Sequence, residues 1–187
     1  MPASPAPASA RLRAVVEFWR AAGPKRWFRK NAAFDRDFHD RFMEQHQAAA
    51  QGEYDAAAAA SPESALAVLL LLDQFPRNTF RGSARAFATD GQALDLAARA
   101  VARGDDRQVE PALQAFFYLP FMHSEALANQ QRSVELNRRL GGGSLRAAEV
   151  HQDIIERFGR FPHRNTVLGR PTTAAEQAFL DAGGFKG

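Results

Sequence analysis

Apolar residues recur at helical spacing along almost the whole chain, and no stretch alternates as a strand would. Leu12, Val15, Val16 and Trp19 fall at i, i+3, i+4 and i+7, which predicts a first helix from about Ala10 that Gly23-Pro24 ends. Asn31 is placed as a cap for a second helix, on which Phe34, Phe38 and Phe42 step by four; His39 and His46 lie off that stripe and are expected in water. The Ala-rich stretch from Ala48 to Ala60, broken at Gly52, reads as a turn between helices or a frayed helix end. Ser61-Pro62-Glu63 opens another helix with a cap, a proline at the first helical position and an acid in the first turn. Its inner face is Leu66, Leu69 and Leu70, and one turn further it reaches Asp73.

Further helices are expected from Thr89 or Asp90 to Arg103, with Leu94, Ala97, Ala98 and Val101 inward and Gly104 closing the end. Another runs from about Val109 to Leu119-Pro120, and one marked by Leu127 and Val134 reaches Leu140. Ser144 is the expected cap after Gly141-Gly142-Gly143, opening a helix whose buried stripe includes Leu145, Ala148, His151, Ile155 and Phe158. Thr173-Ala174-Ala175-Glu176 has the form of a capping box. The predicted class is all-α: stacked helical hairpins, either a tetratricopeptide-like solenoid or a compact helical array. One helical domain over residues 10–182 is expected, with a disordered Pro/Ala-rich lead over 1–9 and a loose tail over 183–187.

Three corners break this pattern. Each places an aromatic helix end, a proline and a dense polar segment in succession. They are Leu69 to Gly82, Phe116 to Glu125 and Ile154 to Asn165, with prolines at 76, 120 and 162. A spacing of about 40 residues filled by two helices is that of helical-repeat proteins, although no tetratricopeptide consensus can be read.

Composition narrows the function classes. The chain has 187 residues, no Cys, and 24 Lys and Arg against 21 Asp and Glu, which gives a formal charge of +3. Without Cys, disulfides and thiolate metal sites are excluded. Nearly all the cations are Arg, which suits bidentate pairing with carboxylates or phosphates. Acids are interleaved with them, which disfavours nucleic acid as a partner. The run Lys25-Arg26-Trp27-Phe28-Arg29-Lys30 could contact an anion or nucleic acid, but the preferred reading tucks Trp27 and Phe28 under the first helix and leaves the cations to water. The longest apolar run, Ala65 to Leu72, is too short to span a membrane. Met1 to Ala10 lacks the apolar core of a secretory signal, so a cytoplasmic location is the expectation.

The chain resembles a bacterial family known as domain of unknown function 924. The resemblance rests on Phe18-Trp19, Lys25 to Phe28, Leu72 to Asn78, Ala86 to Asp90, Phe117 to Glu125 and Arg157 to Asn165. It extends from Val16 to Leu180 and implies an all-helical, tetratricopeptide-like fold, with no activity attached.

The candidate site is a polar centre built from the corners: Asp73, Gln74, Arg77, Asn78, Arg81, His123, Ser124, Glu125, His151, Arg157, Arg160, His163, Arg164 and Asn165. In one reading, Arg77, Asn78, Arg81, His123, Arg157, Arg160, His163, Arg164 and Asn165 bind a small anionic molecule or an acidic peptide or protein partner, because guanidinium forks match carboxylate geometry. In an alternative, the site is catalytic, with His123 or His151 beside Glu125 or Asp73 as general acid or base. A third reading makes the polar groups a packing network that satisfies helix ends. No cofactor is expected. A metal held by His123, His151 and His163 is disfavoured, since their spacing is loose and the neighbouring arginines repel cations. Ser124 has no Gly-x-Ser-x-Gly elbow around it.

Overall fold

The computed structural model describes residues 7–185. The chain is all-α, and no strand occurs among the described residues. It divides into two compact units, one of Met1–Arg81 with Arg85–Pro120 and the other of Gly82–Ala84 with Phe121–Gly187. Residues 1–6 of the expected lead and 186–187 of the expected tail lie outside the described residues.

In the first unit, α1 (Ala8–Ala22) buries Leu12, Val15, Val16 and Trp19, the four positions the spacing picks out. A short α2 (Pro24–Trp27) follows, and α3 (Ala32–Ala50) is capped by the Asn31 side chain, which accepts from the backbone N–H groups of Ala33 and Phe34. Phe34, Phe38 and Phe42 pack in a cluster with Phe18 and Trp19, with neighbouring ring centroids 5 to 6 Å apart. His46, expected in water, is instead buried. Its Nδ1–H donates to the Leu71 carbonyl at 2.9 Å, and burial pushes its pKa down. The Ala-rich stretch forms α4 (Asp55–Ala60), which packs on α5 (Pro62–Leu69).

The first corner departs most from expectation. The helix does not stop before Pro76: α5 continues through a π-helical turn, Leu70–Gln74, into α6 (Phe75–Thr79). Proline has no N–H and its ring crowds the carbonyl one turn back. The wider turn relieves that crowding, but it leaves carbonyls without their usual donors. The Phe75 N–H reaches back five residues to the Leu70 carbonyl, so Leu71 loses its partner, and Pro76 offers none to Leu72. His46 supplies the first missing donor and the Thr89 hydroxyl the second. Every residue from Ala65 to Gln74 is buried, so these carbonyls have no recourse to water.

α7 (Asp90–Arg103) buries Ala93, Leu96, Ala97 and Ala100. The inward face is therefore rotated from the expected set, of which only Ala97 is fully covered, and α7 packs on α5. The expected helix from Val109 is a 3-10 turn at Pro111–Leu113 followed by α8 (Ala115–His123), which runs through Pro120 instead of ending there.

The second unit carries α9 (Leu127–Asn137), packed on α10 (Gly142–Phe158), and α11 (Ala174–Asp181). Leu127, expected inward, is 41% exposed, while Val134, Gln130 and Leu136 are buried. Gly141, not Ser144, occupies the N-cap of α10. Ile154, Ile155 and Phe161 form a small core with Phe158, Phe179 and Phe185 against it. No described helix is long and apolar enough to cross a membrane.

Replacing Thr89 with Val keeps shape but removes the donor to Leu72. A loss of about 1–3 kcal/mol is expected from leaving that buried carbonyl unsatisfied, read as a lower midpoint in chemical denaturation. A change within error would show that the hydroxyl does not support the π-turn.

Candidate functional site

In the first unit the corner residues are matched to carboxylates. Arg77 forms a fork with Asp90, at 2.7 and 2.9 Å, and its Nη1 also lies 3.2 Å from Asp73. Burial works against the charge of Arg77, but Asp73 and Asp90 more than offset it and hold its pKa above the ordinary value. Gln74 donates to Asp73 at 2.6 Å. Asp35, in the first turn of α3, accepts from Asn78 at 2.9 Å and from Arg81 at 3.1 Å. Asp90 and Asp35 are partners that local spacing could not single out, since they lie 13 and about 45 residues from the groups they hold.

In the second unit, two carboxylates organise the other corners. Glu125, just beyond α8, accepts from the Phe161 N–H at 2.8 Å and from both terminal nitrogens of Arg170, at 2.7 and 3.0 Å. Burial pushes its carboxyl up, and the hydrogen bonds from Arg170 and Phe161 more than reverse this, so the group lies below the ordinary carboxylate range. Glu176, in the first turn of α11, closes the capping box with Thr173 and receives a bidentate fork from Arg160, at 2.6 and 2.9 Å. That fork holds its carboxyl down at about 2, against the opposing effect of burial. Arg160 also donates to the Pro171 carbonyl, and the fully buried Asn165 links Arg170 to Glu176. Arg157 is exposed, pairs with Asp153 at 3.3 Å and lies over the Phe158 and Phe179 rings.

The end of α8 is satisfied from other elements. The buried Gln130 side chain donates to the Met122 and Ser124 carbonyls, and Arg164 donates to the His123 carbonyl at 3.0 Å. Ser124 accepts from the Ala126 N–H and from Asn129, which closes a local turn.

The histidines occupy the remaining space of this unit. His151 is buried and donates from Nδ1 to the Ala147 carbonyl one turn back, at 2.8 Å. His163 sits in the 3-10 turn Pro162–Arg164 that follows Gly159, a glycine whose φ of 68° ends α10 in a left-handed cap. Phe185, in the segment expected to be a loose tail, packs on both rings, with centroids 4.5 Å from His151 and 5.2 Å from His163. The buried Nδ1 of His163 has no hydrogen-bond partner. Burial, assisted by the charges of Arg164, His151 and His123, pushes its pKa down to about 4, with Glu125 opposing. Among the described residues, no three His, Asp or Glu side chains gather as metal ligands would.

Besides Asp35, Asp90 and Glu176, sequence reasoning missed Arg170 and Phe185 as participants. Arg170 lies in a Gly169-Arg170-Pro171 turn outside the corner pattern, and Phe185 lies beyond the last periodic residue.

An all-helical chain whose polar corners are tied by arginine–carboxylate forks is the class that fold and site define. The family model described as bacterial protein of unknown function (DUF924) matches residues 15–184, and the chain belongs to that family. It is similar to a solved structure of a protein of unknown function from Agrobacterium tumefaciens, with 52% identity and a TM-score of 0.92, covering 94% of this chain and 99% of that one. No curated protein matches.

Two pH effects follow, with different signs of charge and the same direction. Glu176 has a folded pKa below its unfolded value, so its contribution is present above about pH 4.5 and is lost as pH falls toward 2. His163 is harder to protonate in the folded chain, so the unfolded state takes up a proton first, and stability declines as pH falls from about 6.5 to 4. Stability measured against pH by chemical denaturation should lose the first component in Glu176→Gln and the second in His163→Gln. Profiles parallel to that of the unsubstituted protein would contradict the assignment.

Proposed function

We propose that the protein is a binding protein whose second unit receives a small anionic molecule, or a carboxylate of an acidic peptide, beside His163, His123 and Arg164. The observation that carries this reading is the buried, unpartnered Nδ1 of His163. An unsatisfied buried nitrogen is costly in a structure that has no use for it. Arg164 is a permanent cation beside it, and His151 and His123, when protonated, add to the repulsion of a proton on that ring. Glu125, the carboxylate that opposes them, is held by Arg170 and the Phe161 N–H. An anion would find a positive field there, and the neutral ring could donate one hydrogen bond to it.

The reading narrows the residues drawn from the corners. Arg77, Asn78, Arg81, Arg160, Arg157 and Asn165 each hold a partner within the chain, which suits them to support more than to direct ligand contact. The geometry also favours binding over catalysis by His123, His151, Glu125 or Asp73. A carboxylate locked in a bidentate fork with a depressed pKa is a weak base, and this describes Glu125. His151 donates to a backbone carbonyl, which orients its ring toward the helix.

The test uses inorganic phosphate and a hexaglutamate peptide as probes, with imidazole resonances followed by NMR. One probe should shift the His163 signals in a saturable way, and His163→Ala should weaken binding by about tenfold or more while circular dichroism stays helical. Failure of both probes to move His163, or binding unchanged in His163→Ala, would overturn the reading.

A further inference from the structure

The run Lys25 to Lys30 belongs to the first unit, and the structure treats its two aromatics differently. Trp27 is buried. Its Nε1–H donates to the Trp19 carbonyl at 2.7 Å, near the end of α1, and its ring lies parallel to Trp19 with an interplanar angle of 3°. Phe28, expected to tuck in beside it, is 66% exposed. It lies flat on the buried Phe116 ring, with centroids 5.9 Å apart and planes within 12°. Phe116 therefore covers part of the ring in an offset stack, and most of Phe28 stays open to solvent. Trp27, anchored in the preceding turn, and the contact with Phe116 position the Phe28 ring.

The surrounding charges are of one sign. Lys25, Arg26, Arg29 and Lys30 are exposed, and none pairs with a carboxylate among the described residues. This sets them apart from arginines such as Arg20, which is bound to Glu110, and Arg41, which is bound to Asp37. An open groove lined by Arg26, Asn31, Phe34 and Asp37 begins beside them. The interleaving of acids along the chain argues against nucleic acid in general, but Asp37, the acid that lines this groove, is paired with Arg41, and the four cations that flank Phe28 in the sequence carry no such partner among the described residues.

We propose that this surface binds single-stranded nucleic acid, with a base stacked on the open face of Phe28 and adjacent phosphates on Lys25, Arg26, Arg29 and Lys30. A flat aromatic face bordered by cations is what sequence-tolerant single-strand binding requires. The alternative occupant of a basic patch with an aromatic residue is an anionic membrane. That use calls for an amphipathic helix with a broad apolar face, whereas here a single exposed aromatic ring follows a helix of four residues. An acidic polypeptide would satisfy the cations but leave the open ring face without a planar partner.

Fluorescence anisotropy with labelled dT15 and rU15 tests the assignment on the full chain at 50 mM salt. Saturable binding is expected, weakened at least about fivefold in Phe28→Ala and retained in Phe28→Trp, since stacking survives that exchange. Arg26→Gln/Arg29→Gln should weaken binding and lower the salt dependence by about 0.7 in log–log slope per lost phosphate contact. Circular dichroism confirms that each variant is folded. Three results overturn the proposal: no binding of either oligonucleotide, binding indifferent to Phe28→Ala, or Phe28-dependent binding to phosphatidylglycerol vesicles or polyglutamate in place of the oligonucleotides.

Discussion

A proline inside a buried helix removes a donor that water cannot replace, and the first unit is arranged around that shortage at Pro76. Leu71 and Leu72 carry carbonyls without helical partners in a segment buried on all sides. His46 comes from α3 and Thr89 from just before α7, so two elements are fastened to the central helix by the same deficit. The burial of His46 follows from this. Its position off the phenylalanine stripe looks solvent-facing until the carbonyl it must reach is known.

The charges obey a related constraint. A basic chain of this size might be expected to display its arginines, yet in both units the best-placed ones are committed to carboxylates that each serve more than one element. Asp35 holds Asn78 and Arg81, Glu125 joins the end of α8 to Phe161 and Arg170, and Glu176 combines a helix cap with the fork from Arg160. Bidentate, partly buried pairs of this kind resist removal of either member, because the survivor would be left charged and unpaired. The basic groups outside these pairs differ in character. His163 is half-buried with a buried, unpartnered Nδ1, whereas Lys25, Arg26, Arg29 and Lys30 are exposed cations.

Much of the helical plan was legible in the residues. Asn31, Ser61 and Thr173 cap where their types and neighbours say they should, and the apolar stripes of α1 and α3 lie where periodicity puts them. Less legible was the fate of the corner prolines, because a π-turn depends on donors arriving from elsewhere in the chain. Phe28 beside Trp27 shows the limit most plainly. The two rings are adjacent and chemically alike, but only Trp27 has an N–H that can anchor it to the Trp19 carbonyl.

By itself, then, the sequence determined the all-α class, the capped helix starts at Asn31, Ser61 and Thr173 and the family, since capping and helical periodicity act within about four residues. Tertiary structure decided which carboxylate each arginine holds. Arg170 meets Glu125 across 45 residues and Arg81 meets Asp35 across 46. An ion pair selects its partner by proximity in space, and the spacing of charges along the chain carries no record of that proximity.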